Sequence, residues 1–163
     1  MRLNALWDNF FTSGEKKNDI EFLQSIPLFD SLKHSEILRL ERSLHDRLYS
    51  KNEEVFFEGE PGAALYIIKE GKIDIYKNYK DEKILLASLG EGTFFGELAL
   101  FDESPRSATA VATKDTMLLA FSKPSLIQFS EQNPKSGFKI SMRLGEILSQ
   151  RLRVANEHIE ESS

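Results

Sequence analysis

The spacing of apolar side chains changes along the chain from a helical to a strand period and back again. An i, i+3, i+4, i+7, i+8 pattern near the N-terminus predicts one apolar helix face, formed by Leu3, Leu6, Trp7, Phe10 and Phe11. Ser13-Gly14 and a polar run to Asn18 end this pattern, so we expect a helix and linker over residues 1–18. We interpret the helix as a flap over the core, and a docking surface for a partner is the alternative.

Strand-like segments occupy the middle of the chain, after a second predicted helix that Ser35 would cap and that runs to about His45. Short runs rich in β-branched and aromatic residues predict strands at 54–57, 65–69, 72–76, 84–89 and 117–121. Turn signals separate these runs, at Pro61-Gly62, Glu70-Gly71, Lys80-Asp81 and Gly90-Glu91-Gly92. Many short strands at regular spacing predict a β-sandwich or a jelly-roll barrel.

Helical signals return after Phe121. Ser122 precedes Pro124 and predicts the start of a short helix that extends to about Glu131. Asn133-Pro134 then predicts an N-cap followed by proline in the first turn of a long helix. This helix runs to about Ile159, which is roughly 39 Å at 1.5 Å per residue.

A narrow stripe runs along the predicted long helix. Its members recur with 3-4-3-4 spacing and are Gly145, Leu148, Leu152, Ala155 and Ile159. Such a stripe is similar to one strand of a coiled coil and favours homodimerisation. Packing of the stripe against its own barrel is the alternative.

Composition narrows the class of protein. The 163 residues, 40% hydrophobic and 29% charged, are typical of one globular domain. No cysteine is present, so disulfides, thiolate metal sites and thiol nucleophiles are excluded and a reducing cytoplasm is the expected location. Asn4, Asp8 and Asn9 interrupt the N-terminal apolar residues, so we expect neither a signal peptide nor a membrane span. A net charge of −5 does not favour nonspecific nucleic-acid binding.

The segment Phe95-Gly96-Glu97-Leu98-Ala99-Leu100, followed by Pro105-Arg106-Ser107-Ala108-Thr109-Ala110, carries groups suited to an anion with a hydroxyl nearby. Gly96 lets the backbone come close at a short helical turn, whose free N–H groups attract an anion. Arg106 offers a planar fork of donors that fits a phosphate. Glu97 only accepts hydrogen bonds and therefore suits a hydroxyl of the ligand. A buried salt bridge between Arg106 and Glu97 is the structural alternative.

The pattern Phe-Gly-Glu-Leu-Ala-Leu-x5-Arg-Ser-Ala resembles the phosphate-binding cassette of cyclic nucleotide-binding domains. These domains occur in catabolite-activator-type receptors, in the regulatory subunit of cAMP-dependent protein kinase and in cyclic-nucleotide-gated channels. The segment from Phe57 to Gly71 is similar to the strand–turn–strand of the same family. The resemblance implies a domain over residues 19–163 that is mainly β with flanking helices. It implies a jelly-roll (double-stranded β-helix) barrel carrying the cassette, with N-terminal helices and a long C-terminal helix at about 133–159.

The resemblance also implies a cyclic purine nucleotide as ligand and assigns its phosphate to the cassette. Arg106 would hold the exocyclic oxygens of the phosphate. Backbone N–H groups around Leu98, Ala99 and Ser107 would complete the cradle, and the Ser107 hydroxyl adds a donor. Ala108, the last residue of the pattern, is included in the expected site.

Roles for the sugar and the base follow from the same resemblance. Glu97 would accept from the ribose 2′-hydroxyl, and Gly96 would stay small because the sugar passes over it. Ala155 and Asn156 stand where a Thr-Ser pair touches the adenine edge in catabolite-activator-type receptors. Ala155 cannot hydrogen-bond, whereas Asn156 has a donor and an acceptor and is the expected base contact, with an ordinary exposed residue as the alternative. Ser107 in place of a threonine favours cAMP, with cGMP as the second candidate.

Other function classes fit less well. A cupin-type metal enzyme needs several histidines on adjacent strands, whereas His34, His45 and His158 fall in predicted helices or at a helix end. We therefore expect no metal site, no cofactor and no catalytic residues. Activator-type relatives carry a DNA-binding domain after the long helix, but this sequence ends at Ser163, so we expect no direct nucleic-acid binding.

These observations predict a stand-alone cytoplasmic sensor that binds cAMP and relays binding to an unidentified effector protein through its helices. Two alternatives stay open. One is a degenerate domain that acts as a protein-interaction scaffold without ligand, and the other is the sensor fragment of a larger regulator.

Overall fold

Two antiparallel sheets of four strands face each other in the computed structural model, which describes residues 19–162. The helix expected within residues 1–18, with its roles as flap or docking surface, lies outside these residues. One sheet has the strand order β1-β8-β3-β6 and the other β2-β7-β4-β5, and such crossovers between sheets are typical of a jelly roll. The strands are β1 His45–Tyr49, β2 Glu54–Phe56, β3 Ala64–Glu70, β4 Ile73–Tyr79, β5 Glu82–Leu89, β6 Phe94–Phe95, β7 Thr109–Ala112 and β8 Thr116–Ser122. The predicted fold class is confirmed.

Helices precede and follow the strands of the barrel in the sequence. They are α1 Asp19–Ser25, α2 His34–Glu41, α3 Lys123–Gln132 and α4 Pro134–Glu161, with 3-10 turns at Pro27–Phe29 and Glu97–Leu100. The 28 residues of α4 span about 42 Å at 1.5 Å per residue. None of the helices in the described part of the chain is long and apolar enough to cross a bilayer.

Two hydrophobic cores share the strands β3 and β8. On β3, Leu65 and Ile67 pack against the helices, whereas Ile68 lies between the two sheets. On β8, Phe121 faces the helices and Leu118 faces the opposite sheet. Because alternate residues of a strand point to opposite faces, burial on both faces requires the nearly continuous apolar run seen in β8.

The predicted strands are present, but the patterns missed β1, β6 and β7. β1 lies at a sheet edge, where charged residues such as Asp46 and Arg47 are tolerated and obscure the alternation. β6 has two residues, and β7 has small apolar residues that give a weak strand signal. His45 therefore begins a strand, so its predicted place at a helix end was wrong.

One predicted helix cap is wrong, and a second is correct in position but lacks a side-chain cap bond. The second helix begins at His34 after Lys33, whose N–H donates to Glu36 Oε2 at 2.7 Å, so Ser35 is not the cap. Asn133 precedes α4 as predicted, but its side chain makes no cap bond there and instead donates to the Phe129 carbonyl of α3. Ser122 does cap α3, since its hydroxyl accepts from the Ser125 N–H.

A buried carboxylate joins α2 to the first turns of α4. Glu36 is 7% exposed, and it accepts hydrogen bonds from Ser136 Oγ at 2.7 Å and from Lys139 Nζ at 3.0 Å. Burial alone would raise the pKa of Glu36, but the bonds from Lys33 N–H, Ser136 and Lys139 lower that pKa to about 2. Arg143 adds bonds to the Pro27 carbonyl and to Asp30. The first half of α4 is thus fixed to the N-terminal helices.

The second half of α4 has a different environment. The buried residues of this helix are Ser136, Gly137, Ile140 and Leu144, and every residue from 149 to 162 is exposed. Of the predicted stripe, Leu148 packs against the core, whereas Gly145, Leu152, Ala155 and Ile159 are exposed. Leu148 therefore packs against its own barrel, as the alternative interpretation expected, and the other four members of the stripe face outward.

Candidate functional site

Gly96 marks the start of the candidate site, between β6 and β7. It adopts a left-handed conformation with φ 74° and ψ 18°, which glycine tolerates, and the 3-10 turn Glu97–Leu100 follows it and packs against β3. A Cβ at Gly96 would lie 2.7 Å from Arg106 Nη1. The structure thus confirms the turn expected at Gly96 and adds the close approach of Arg106, which the sequence did not indicate.

Arg106 is buried under the cassette turn and is 8% exposed. Its Nη1 donates to the Gly96 carbonyl at 3.0 Å and its Nη2 to the Ala64 carbonyl at 2.8 Å. Its Nε is also buried and has no hydrogen-bond partner within residues 19–162. Because a buried donor without a partner is costly, this nitrogen is suited to a ligand acceptor.

An aromatic floor lies beneath the guanidinium. The central carbon of Arg106 is 4.1 Å from the ring centroid of Phe56 and 5.8 Å from that of Tyr66. Phe56, Tyr66 and Phe95 contact one another with centroid distances of 5.6 to 6.1 Å. Because the faces of aromatic rings attract cations, these side chains stabilise the positive charge of Arg106 and fix the plane of its guanidinium.

Two opposing effects act on the pKa of Arg106. Burial lowers the pKa of Arg106 below its ordinary value, and the nearby carboxylates of Glu60 and Glu97 act in the opposite direction. Arginine nevertheless stays protonated in proteins. Its side-chain hydrogen bonds go to backbone carbonyls, so the buried salt bridge with Glu97 that the sequence left as an alternative is not formed.

The β2–β3 loop holds the backbone of Arg106. Gly59 N–H donates to the Arg106 carbonyl at 2.8 Å, and Arg106 N–H donates to the Glu60 carbonyl at 2.7 Å. A Cβ at Gly62 would lie 2.8 Å from the Ala99 Cβ and 3.1 Å from Arg106 Nε. The sequence marked Gly62 as a turn signal, and its role beside the arginine emerges only from the structure.

Glu97 pairs with a residue of α4. Its Oε1 lies 2.6 Å from Arg151 Nη1, and the Arg151 guanidinium stacks on the Phe94 ring at 4.6 Å. Oε2 of Glu97 makes no hydrogen bond to any residue that the structure describes, so one oxygen stays available as an acceptor. No motif in the sequence indicated Arg151, which lies five residues before Asn156 on the long helix.

The remaining expected site residues divide into two groups. Leu98, Ala99, Ser107 and Ala108 lie in the cassette beside Arg106, with Ala99 and Ala108 buried and Leu98 and Ser107 exposed. Asn156 does not join them. It lies five residues beyond Arg151, about 140° further around the helix, on the exposed face that carries Leu152 and Ile159.

A groove separates β6 and the loop before it from α4. Its volume is about 690 Å³, and its lining includes Phe94, Arg143, Ile147, Arg151 and Val154. Groups of three or more histidine or acidic side chains that could hold a metal ion do not occur among residues 19–162.

Comparison with protein families finds matches over much of the chain. The family model described as "Cyclic nucleotide-binding domain" matches residues 46–133. The "Cyclic AMP receptor protein" of Thermus thermophilus is 32% identical over 139 residues, which cover 85% of this chain and 62% of that protein. The "cAMP-dependent protein kinase regulatory subunit" of Mycosarcoma maydis is 38% identical over 59% of this chain and 18% of that protein. The chain thus spans less than two thirds of either relative.

Solved structures show the same fold. A cyclic nucleotide-binding domain from Methylobacillus flagellatus superposes with a TM-score of 0.78 at 28% identity, covering 88% of this chain and 82% of that one. The Thermus thermophilus Catabolite Activator Protein superposes with a TM-score of 0.75 at 34% identity, covering 82% of this chain and 62% of that one.

Proposed function

The chain belongs to the cyclic nucleotide-binding domain family, and from this membership we propose that its barrel binds a 3′,5′-cyclic purine nucleotide, with cAMP as the preferred ligand. The observation that carries the proposal is the buried Arg106, whose Nε faces no acceptor among the described residues. Matched relatives that are named for cAMP support the choice of ligand.

The phosphate would bind at the cassette. Arg106 already has a fixed plane because two carbonyls and the Phe56 ring hold its fork. The phosphate oxygens would accept from Arg106, from backbone N–H groups near Leu98, Ala99, Ser107 and Ala108, and from the Ser107 hydroxyl. Charge-assisted bonds of this kind are roughly twice as strong as neutral ones.

The sugar would bind at Glu97. With Oε1 held by Arg151, Oε2 would accept from the ribose 2′-hydroxyl. This division of the two oxygens allows the ion pair and the ligand contact to exist together. It also joins the ligand to α4 through one carboxylate.

We keep Asn156 as the candidate base contact. Asn156 faces away from the cassette of its own chain, so it would meet the base only if α4 turned about its axis or a second copy supplied it. A homodimer through the exposed face of α4 would provide such a copy.

The relay would use the second half of α4. Its residues from 149 onward are exposed, and Arg151 links this part of the helix to the cassette. Ligand binding can move the helix only if the two helix positions differ in ligand affinity. The effector protein would then recognise the helix in one of these positions.

A thermal-shift panel with cAMP, cGMP and cyclic dinucleotides tests the proposal. We expect a rise in melting temperature that is largest for cAMP. In calorimetry, Arg106→Ala should lower cAMP affinity more than a hundredfold, since bonds to a charged group contribute roughly 1.5–3 kcal/mol each. Arg153→Ala removes the same charge from an exposed position on α4 and should bind normally.

Circular dichroism of Arg106→Ala, and of Arg106→Lys as a second variant, separates lost binding from lost folding. If folded Arg106→Ala bound cAMP as tightly as the wild type, the mechanism would be wrong. No response to any cyclic nucleotide would favour the scaffold function instead.

A further inference from the structure

A lysine outside the cassette holds the peptide that follows Arg106. Lys77, near the end of β4, donates from Nζ to the Ser107 carbonyl at 3.0 Å. We propose that Lys77, supported by Glu58, is a positioning residue that orients the Ser107–Ala108 peptide toward the phosphate of the ligand. The inference rests on the proposed function and adds to it a residue that touches no ligand itself.

The planarity of the peptide bond connects Lys77 to the cradle. In a trans peptide the carbonyl and the following N–H point in opposite directions. The Arg106 carbonyl accepts from Gly59 N–H, and the Ser107 carbonyl accepts from Lys77. Both carbonyls are therefore held by groups outside the cassette. The N–H groups of Ser107 and Ala108 consequently point away from the β2–β3 loop and β4.

The hydrogen bonds between β4 and β7 cannot orient the Ser107–Ala108 peptide, because this pairing ends at Thr109, one residue short of it. The β4–β7 pairing extends from Ile73 opposite Ala112 to Tyr76 opposite Thr109. The next residues, Lys77 and Ala108, lie beyond this ladder. The ammonium group of Lys77 thus supplies the donor that a further ladder bond would have given to this segment.

Glu58 holds Lys77 in place. Its Oε1 lies 3.7 Å from Lys77 Nζ, and its Oε2 accepts from the Asn78 N–H at 3.1 Å. The N–H of Glu58 donates to Thr109 Oγ1 at 2.9 Å. Glu58 therefore bridges β4 and the start of β7, with Lys77 between them.

This arrangement should affect affinity more than stability. The Lys77 side chain is 46% exposed, and ion pairs at exposed positions contribute little to folding. The orientation of two N–H donors, in contrast, matters as soon as an anion binds them.

Three variants test the inference. Lys77→Met keeps most of the unbranched side chain but removes the donor, and we expect its cAMP affinity to fall roughly threefold to tenfold, the effect of one hydrogen bond. Lys77→Arg keeps a donor and the charge, and should restore most of the affinity. Lys83→Met is the matched control, because Lys83 lies opposite Asn78 on β5 with its ammonium over the Tyr76 ring at 4.1 Å. It removes the same charge from the hairpin, and its affinity should equal that of the wild type.

A second readout separates orientation from charge. The two phosphorothioate isomers of cAMP replace one or the other exocyclic oxygen with sulfur, a weaker acceptor. The ratio of their affinities reports which oxygen meets the oriented N–H groups, so this ratio should shrink in Lys77→Met and persist in Lys83→Met. The melting temperature without ligand should not change in any variant.

The outcomes distinguish this inference from the proposed function. If the wild type binds cAMP and Lys77→Met binds it equally, this inference alone is overturned. Equal losses in Lys77→Met and Lys83→Met, with an unchanged isomer ratio, also overturn it, because charge would then be sufficient. A wild type that binds no cyclic nucleotide overturns both.

Discussion

At the scale of single residues, Arg106 depends on backbone atoms for its position. Two carbonyls accept from its fork, and two glycines leave room for it, at positions 62 and 96. Backbone acceptors orient a guanidinium without neutralising it, whereas a carboxylate would do both. The side chain is therefore kept in place and remains ready for an anion.

Replacement of Gly96 tests this close approach. Gly96→Ala introduces a left-handed alanine, which costs about 1 kcal/mol, and a Cβ 2.7 Å from Arg106 Nη1. We expect the free energy of unfolding in urea to fall by about 1–2 kcal/mol and cAMP affinity to fall at least tenfold.

Gly92→Ala is the matched control for the backbone. Gly92 has a φ of +79°, and nothing lies within 4 Å of its added Cβ. Its stability should fall by a similar amount while cAMP affinity is retained. Equal affinity in Gly92→Ala and Gly96→Ala would mean that the contact with Arg106 does not matter.

The sequence identified Arg106, Glu97 and Gly96 because they lie within one short motif. It missed Arg151, which meets Glu97 across 54 positions, and Lys77, which meets Ser107 across 30. Neither pairing leaves a period or a local signal in the chain, because both depend on how the sheets and α4 pack. For the same reason the motif could not reveal that Glu97 has a protein partner.

At the scale of elements, α4 is divided into an anchored half and an exposed half. Period and caps predicted its start at Pro134 and its end within two residues. The division could not be predicted, because it depends on which neighbours α1, α2 and the barrel provide. Glu36 is the clearest example: a polar residue in a short helix becomes a buried anchor through contacts 100 and 103 positions away.

Removal of the Glu36 charge should loosen this anchor. Glu36→Gln leaves Lys139 without its partner in a largely buried site, and we expect the free energy of unfolding at pH 7 to fall by about 2–3 kcal/mol. Glu146→Gln is the control, since Glu146 pairs with Arg143 at an exposed position of the same helix and should have an effect near zero.

The pH dependence of the same anchor has a definite sign. The folded-state pKa of Glu36 is about 2, below the ordinary value of 4.5. Its contribution is therefore fully present above pH 4.5 and is lost as the pH falls toward 2. Urea denaturation should show the difference between wild type and Glu36→Gln shrinking over that range. A constant difference would contradict the role of the charge.

At the scale of the whole molecule, one face of α4 exposes several large apolar side chains. Phe138, Met142, Leu152 and Ile159 recur on it at heptad-like spacing and are 66%, 52%, 63% and 65% exposed. The stripe predicted from the sequence shares Leu152 and Ile159 with this face, but it also included Leu148, which packs against the core. Period alone cannot tell which side of a helix its own barrel will cover.

Sedimentation velocity tests the proposed homodimer. We expect a dimer for the wild type and a monomer for Leu152→Glu, because a carboxylate in an apolar helix interface would lose its hydration without a partner. Ile127→Glu on α3, where the side chain is 48% exposed, should remain dimeric. A wild type that sediments as a monomer at high concentration would remove the dimer.

The positive charge of Arg106 lies within a chain of opposite net charge, and this affects the rate at which an anion binds. The chain as a whole carries a net charge of −5, so an approaching anion is repelled at a distance and attracted only near the pocket. Added salt screens the distant repulsion first, since the Debye length is about 10 Å at 0.1 M. The association rate constant of the ligand should therefore be higher at 0.1 M salt than at low ionic strength, the opposite of the salt response expected for a protein that binds nucleic acid.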